Sequence, residues 1–237
     1  MSYTLFISDL HLASNEPIIT QAFKSLLSDQ AQKADALYIL GDFFETWIGD
    51  DDQCPFNLDI IRTLRHFIDT TKIPIYFMHG NRDFLIGKRF AKQAGILLLE
   101  DPTIITLYGK RILLLHGDSL CTLDAHYQAF RKKRSHPLFK IMTYMIPLSI
   151  RRKIAPKLRE KSKQHQKNID ATIMDVSPHE VTRFFDEYQP DLMIHGHTHR
   201  PAIHDNHRIV LGAWHDKASM LFVYDDKPPE LLSERIF

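Results

Sequence analysis

ALYILGD, residues 36–42, is a run of five apolar or aromatic side chains closed by a glycine and a carboxylate. A short apolar run stopped by a turn residue reads as a buried strand, which puts Asp42 at the strand's end, where a loop begins. The same form recurs along the chain in TLFISDLH (4–11), PIYFMHGNRD (74–83), RILLLHGD (111–118) and LMIHGHTH (192–199). Each run delivers carboxylates, amides or imidazoles to a strand end, where loops can gather them into one site.

Between these strands the spacing predicts helices over Pro17 to Ala31, Asn57 to Thr70, Gly87 to Ala94 and Pro178 to Tyr188. Further strands are expected at Ile96 to Leu99, Ala202 to His204, Arg208 to Leu211 and Met220 to Tyr224. Thr103 to Leu107 and Arg111 to His116, joined by Tyr108-Gly109-Lys110, read as a hairpin. Strands alternating with helices imply an α/β sheet protein. Thr122 to Ser177 breaks the rhythm with helical patterns and no Gly/Ser linker, and is expected to be a cap on a single domain.

The chain has 237 residues, 44% of them hydrophobic, enough for a large core. No uncharged apolar stretch reaches the length of a membrane span, and the first ten residues lack the basic n-region of a signal peptide. Two cysteines, Cys54 and Cys121, outside any metal or redox spacing, suggest a reducing compartment. The formal net charge is only +1, yet Thr122 to Asp170 holds thirteen Lys and Arg against three acidic residues, a local balance of +10 that leaves −9 elsewhere. Such a segment calls for an anionic partner. Within it, Leu138 to Ile150 is apolar nearly all round, broken by Pro147 and bracketed by RKKR and RRK. It is too short to cross a bilayer, and suits an acyl-chain groove or an anionic membrane surface. Few aromatics interleave with its basic residues, so no nucleic-acid partner is expected.

The chemistry lies in the strand ends. Asp9 and His11 are expected on one side of an extended chain, where an oxygen and a nitrogen reach one ion together. Asp42 has two oxygens that can bridge two ions, and Gly41 before it permits close backbone approach to a cofactor. Asn81, His116, His197 and His199 add neutral donors that borderline divalent metals accept. Seven ligands with two formal negative charges leave a two-metal site net positive, suited to phosphate and to acidifying a water. Asp50-Asp51-Asp52 trails the second segment as a further group with metal-ligand chemistry.

The order DLH, GD, GNRD, HGD, GHTH resembles the calcineurin-like metallophosphoesterase superfamily. That resemblance implies two packed sheets flanked by helices, a four-layer α-β-β-α sandwich. YILGDFFETWIGDDD, HGNRDFLIGKRFA, HGDSLCTLDAHYQAFR, IMDV, IHGHTHRPA and RIVLGAW are more closely similar to the UDP-2,3-diacylglucosamine diphosphatase family of lipid A biosynthesis. The closer resemblance implies one metal held by Asp9, His11, Asp42 and His199 and the other by Asp42, Asn81, His116 and His197, with manganese as the ion. It further implies water attack on the α-phosphorus of UDP-2,3-diacylglucosamine, giving UMP and 2,3-diacylglucosamine 1-phosphate at the cytoplasmic face of the inner membrane. Asn81, Arg82, Asp124, Ser162 and His197 match positions that contact substrate there. Gln166 keeps an amide where the family often shows one, and Ile169 stands where it often shows Lys.

Arg82 sets the type of bond. Many metallophosphoesterases carry His at this place, which can protonate an alkoxide leaving group. Arg cannot act as a general acid at neutral pH, but it can hold phosphate bidentately and stabilise developing charge. A pyrophosphate, whose leaving group is already a stable phosphate monoester, fits that exchange. Cys121 is expected to be packing, and Tyr127, Phe130 and Phe84 are candidate walls of the site.

Overall fold

A computed structural model describes residues 2–167, 175–205 and 207–236, the side chains at 126, 163 and 165–167 excepted. The Gln166 side chain, Ile169 and the first two residues of IMDV lie outside the described residues. Strands β1 (Tyr3–Ile7), β2 (Ala36–Leu40), β3 (Ile75–Met78) and β4 (Leu97–Leu99) run parallel, each one neighbour further on. Two antiparallel strands, β10 (Lys217–Tyr224) and β11 (Glu230–Arg235), extend this sheet on the β1 side. The order is β11-β10-β1-β2-β3-β4. A second sheet contains β5 (Thr103–Leu107), β6 (Lys110–Leu114), β7 (Leu192–His195), β8 (Ala202–His204) and β9 (Arg208–Val210), in the order β5-β6-β7-β9-β8. The β5-β6 hairpin turns on two residues, Tyr108 and Gly109, both at positive φ, and Lys110 is already paired with Leu107. That is the two-residue turn whose twist matches the strands, one residue tighter than the sequence suggests.

Helices α1 (Pro17–Asp29), α2 (Pro55–Thr71) and α3 (Lys88–Ala94) cover one face of the first sheet, and α7 (Pro178–Tyr188) covers one face of the second. Proline in the first turn opens α1, α2 and α7, where its missing N–H costs nothing. Side-chain alternation sorts the layers. Leu5, Ile7, Leu37, Ile39, Ile75 and Phe77 pack against Phe23, Leu26, Ile60, Leu64 and Phe90 of the helices. Their neighbours Phe6, Tyr38, Leu40 and Met78 face Ile112, Leu114, Ile194 and Ile209 between the sheets. Leu113, Leu115 and Met193 point outward onto Phe184. This is the four-layer α-β-β-α sandwich expected. Because β1, β2 and β3 are parallel, their C-terminal loops emerge at one edge, and the loops after parallel β6 and β7 meet them there.

Three further helices, α4 (Ala125–Ser135), α5 (Pro137–Met145) and α6 (Leu148–Lys167), fall in the basic segment. Pro147 separates the last two, since a helix rarely continues through the residue before proline.

Candidate metal centre

All seven candidate ligands lie at that common edge. Asp9 and His11 follow β1, Asp42 follows β2, Asn81 follows β3, His116 follows β6, and His197 and His199 follow β7. His199 Nε2 stands 3.2 Å from Asp9 Oδ1 and 3.4 Å from His11 Nε2. His116 Nε2 stands 3.2 Å from His197 Nδ1, 3.1 Å from Asn81 Oδ1 and 3.8 Å from Asp42 Oδ1. Donor atoms of Asp9, His11 and His199 lie within 4.8 Å of one another, as do those of Asp9, Asp42 and His116.

Asp9 and His11 do not reach the site by strand alternation. The strand stops at Ile7, and both residues are left-handed, at φ 55° and 53°. Asp9 N–H donates to Gly41 O and His11 N–H to Asp42 O, both at 3.0 Å, so the two loops fix each other. Gly41, at φ +88°, is needed for close packing: a Cβ there would lie 2.6 Å from His116 Nδ1 and 2.7 Å from Gly80 Cα. It lets protein approach protein, where the sequence had suggested approach to a cofactor.

The donor set fits a cation. His116 Nδ1 is 2.9 Å from Leu40 O, a contact that requires a proton on Nδ1 and leaves Nε2 bare in the neutral ring. In that form the nitrogen faces the Asn81 amide oxygen and the Asp42 carboxylate, acceptor to acceptor, a mismatch that either a proton or a cation on Nε2 removes. Turned over, the Asn81 amide would relieve the clash by donating to Asp42 Oδ2 at 2.9 Å and accepting from Arg82 Nε at 3.2 Å. Unturned, its oxygen is one more donor to a metal ion. The surrounding carboxylates favour positive charge here. Burial opposes charging His116, but Asp42, Asp9 and Asp118 outweigh it and push the ring up to about 9. Burial and the neighbouring His116 push His197 down to about 4. Burial likewise opposes ionising Asp9, yet His199, His116 and His11 hold its carboxyl well below the usual range.

Arg82 sits beside this cluster, mostly buried, with Nε 3.8 Å from Asp42 Oδ2. Asp83 does not pair with it. The Asp83 carboxylate accepts from Phe43 N at 2.8 Å and Gly80 N at 2.7 Å, tying the loops after β2 and β3 together. The aspartates at 50–52 also prove to be scaffold, not ligands. Asp50 accepts from Trp47 Nε1, Gly87 N and Phe90 N, while Asp51 and Asp52 pair with Arg151 and Arg152 of α6.

Other candidates divide. Asp124 caps α4, accepting from Tyr127 N at 2.8 Å. Ser162 is half-buried on α6, one turn beyond Arg159. The Tyr127 ring lies 5.7 Å from that of His197 and its hydroxyl donates to Asp118 at 2.8 Å, whereas Phe130 is exposed. Phe84 packs near Phe139 of α5. Cys121 is buried. Sequence reasoning missed two groups behind the ligands. Arg134 of α4 pairs with Asp118 and donates to Gly80 O at 2.8 Å, and Glu45 lies 3.2 Å from His11 Nδ1. The signal for Glu45 was its place three residues after Asp42.

Residues 3–201 match the family of the calcineurin-like phosphoesterases. The chain belongs to that family. A relative of this phosphoesterase from Coxiella burnetii (strain RSA 493 / Nine Mile phase I), named UDP-2,3-diacylglucosamine hydrolase, is 54% identical over 243 residues, covering 100% of this chain and 99% of its own. Another of that name, from Escherichia coli O81 (strain ED1a), is 47% identical over 230 residues, covering 94% and 95%. An archaeal phosphodiesterase of known structure aligns over 98% of the phosphoesterase and 99% of its own chain, with a TM-score of 0.49 at 12% identity. Family and donor set together indicate a metal-dependent hydrolase with a divalent cation at this edge.

Proposed function

We propose that the chain hydrolyses UDP-2,3-diacylglucosamine at its pyrophosphate, giving UMP and 2,3-diacylglucosamine 1-phosphate (lipid X), a step of lipid A biosynthesis. The chemistry rests on one observation above all, the convergence of the donor atoms of Asp42, Asn81, His116 and His197 beside a mostly buried Arg82. The substrate rests on the full-length relatives that carry its name.

In this reading Asp9, His11, Asp42 and His199 would hold one Mn²⁺ and Asp42, Asn81, His116 and His197 a second. When bound, the two ions supply an acidified water and neutralise charge on the phosphate oxygens. The water oxygen bonds to the α-phosphorus as the bond to the bridging oxygen breaks, that oxygen leaves on the sugar 1-phosphate, and one proton is released. Arg82 holds a phosphate oxygen and takes up the charge that develops there. Asn81 and His197 serve as catalytic and substrate contacts as well as ligands, and Asp124, Ser162 and Gln166 contact the substrate from a cap formed by α4, α5 and α6 on the single domain. α5 buries none of its side chains, and Leu138, Ile141, Met142 and Met145 are each more than half exposed. Those apolar side chains suit acyl chains, and the basic residues around them suit the anionic cytoplasmic face of the inner membrane.

The test is mass spectrometry of products from metal-stripped protein and UDP-2,3-diacylglucosamine in ¹⁸O water, with and without Mn²⁺. UMP bearing the label, formed only with metal, is expected. Cleavage of a soluble diester or nucleotide instead, with the lipid left intact, would discard the substrate while keeping the centre.

A further inference from the structure

Among the described residues, His11 is the one candidate ligand whose second nitrogen has a carboxylate from outside the donor cluster beside it. Its Nδ1 is within ion-pair distance of Glu45 Oε2, at 3.2 Å but off the line of a hydrogen bond, while its Nε2 looks inward to His199. An imidazole that ligates a metal through one nitrogen is commonly held by a carboxylate at the other, which fixes tautomer and ring orientation. Glu45 in turn does not stand alone. Arg159 Nε donates to its other oxygen, Oε1, at 2.6 Å. Arg159 belongs to α6, over a hundred residues away in the chain, and lies just beyond Pro156, which interrupts the helix's own hydrogen bonding. Before that proline, α6 is bound to the core through Arg151 and Arg152 on Asp51 and Asp52. Beyond it, Arg159 reaches the metal edge itself.

We propose that Glu45 is a positioning residue for His11, seated by Arg159 of α6, so that docking of this helix and metal binding on the Asp9, His11, His199 side reinforce each other. The inference rests on the two-metal reading and adds the route by which the helical segment acts on it. A coupling of this kind is reciprocal: whatever shifts α6 changes metal affinity, and metal binding holds α6 down.

The experiment is Mn²⁺ titration of the full-length, metal-stripped protein, followed by electron paramagnetic resonance of the free ion, with melting of each metal-free protein as the fold control. Glu45→Ala is expected to weaken one class of Mn²⁺ by roughly tenfold to a hundredfold, the usual cost of losing a group behind a ligand, and to leave the other class unchanged. Arg159→Gln should weaken the same class by less, with Arg159→Lys restoring most of the loss. The double variant Glu45→Ala/Arg159→Gln should bind no worse than Glu45→Ala alone, because Arg159 acts only through Glu45. Wild-type affinity in Glu45→Ala, or losses that add in the double variant, would overturn the proposal. A lower melting temperature for Arg159→Gln with unchanged Mn²⁺ binding would reduce the pair to a brace for α6 and overturn it equally. If the wild-type protein itself bound no Mn²⁺, the two-metal reading would fail first, and the outcomes stay distinguishable.

Discussion

Asp9, His11, Asp42, His197 and His199 have φ values of 55°, 53°, 51°, 71° and 57°. Left-handed backbone costs an ordinary residue about 1 kcal/mol or more, so five of the seven candidate ligands sit in strained turns. What keeps them there is mutual: Asp9 Oδ2 accepts from Ser8 Oγ at 2.5 Å and His197 N at 2.9 Å, and Asp42 Oδ1 accepts from Arg82 N at 2.8 Å. The identities of these residues were legible in the sequence because donor types recur at strand ends. Their geometry was not, since period-two alternation ends with the strand and nothing local encodes a left-handed turn at Asp or His. Asp42→Asn is a direct test at this scale, because Asn tolerates the same φ. It should abolish turnover and leave the melting temperature of the metal-free protein close to that of the wild type, because the charge removed both crowds Asp83 and favours the His116 imidazolium, so the two effects oppose each other. Turnover near the wild-type rate would remove Asp42 from the proposed metal centre. Arg82→Ala should lower kcat by more than about tenfold, on the scale of losing one strong donor to the transition state, and a change confined to KM would restrict Arg82 to binding. Cys121 makes a separate prediction. Burial pushes its thiol up to about 12, so at pH 8 it remains protonated in the folded protein. One thiol, the half-buried Cys54, is expected to react with a disulfide-exchange reagent under native conditions, and the second only on unfolding; two rapid thiols in the native protein would contradict this.

At the scale of elements, the strands and helices of the sandwich follow from periodicity and proline placement, and β11 is the one the sequence reading lacks. Its burial is partial and its residues ELLSER are charged at both ends, as an edge strand's often are, so no alternation announces it. The joining of α5 and α6 to the core was illegible for a different reason. It depends on pairs about a hundred residues apart, Arg151 with Asp51 and Arg152 with Asp52, and on Tyr144, whose hydroxyl donates to Leu85 O and accepts from Asp50 N. The acidic run that looked like metal ligand is thereby the dock for these helices. Arg151 is the most buried of the group, also donating to Ile146 O at 2.8 Å and lying over the Tyr144 ring at 5.4 Å. Arg151→Ala leaves Asp51 and the carbonyls of Ile146 and Ile48 without that donor, a cost of about 1–3 kcal/mol. Because the lost contacts join the helices to the core and touch neither sheet, the cost should appear as local opening. Limited chymotrypsin digestion should cut faster at Phe139 and Tyr144 than in the wild type, with the sheet core cut no sooner. Equal cleavage rates would show that the dock does not depend on Arg151.

Over the whole molecule, charge is segregated: +10 on the segment from Thr122 to Asp170 against −9 on the rest. No described helix is long and apolar enough to cross a membrane. The exposed apolar side chains of α5 instead lie between clusters of Lys and Arg, an arrangement that can rest in a lipid interface while its flanks meet anionic headgroups. Each basic residue near such a surface contributes about 1 kcal/mol at physiological salt, and that attraction is lost as ions screen it. The full chain should therefore cosediment with vesicles rich in phosphatidylglycerol, much less with phosphatidylcholine alone, and should be released by about 0.5 M salt, where the screening length falls to a few ångströms. Met142→Ser with Met145→Ser should weaken vesicle binding several-fold while leaving Mn²⁺ affinity unchanged, since neither residue is buried. Salt-insensitive binding to neutral vesicles would mean that apolar insertion alone holds the protein. Absence of binding to any vesicle would leave the apolar face of α5 to the acyl chains of a substrate that must then be extracted from the bilayer before it is cleaved.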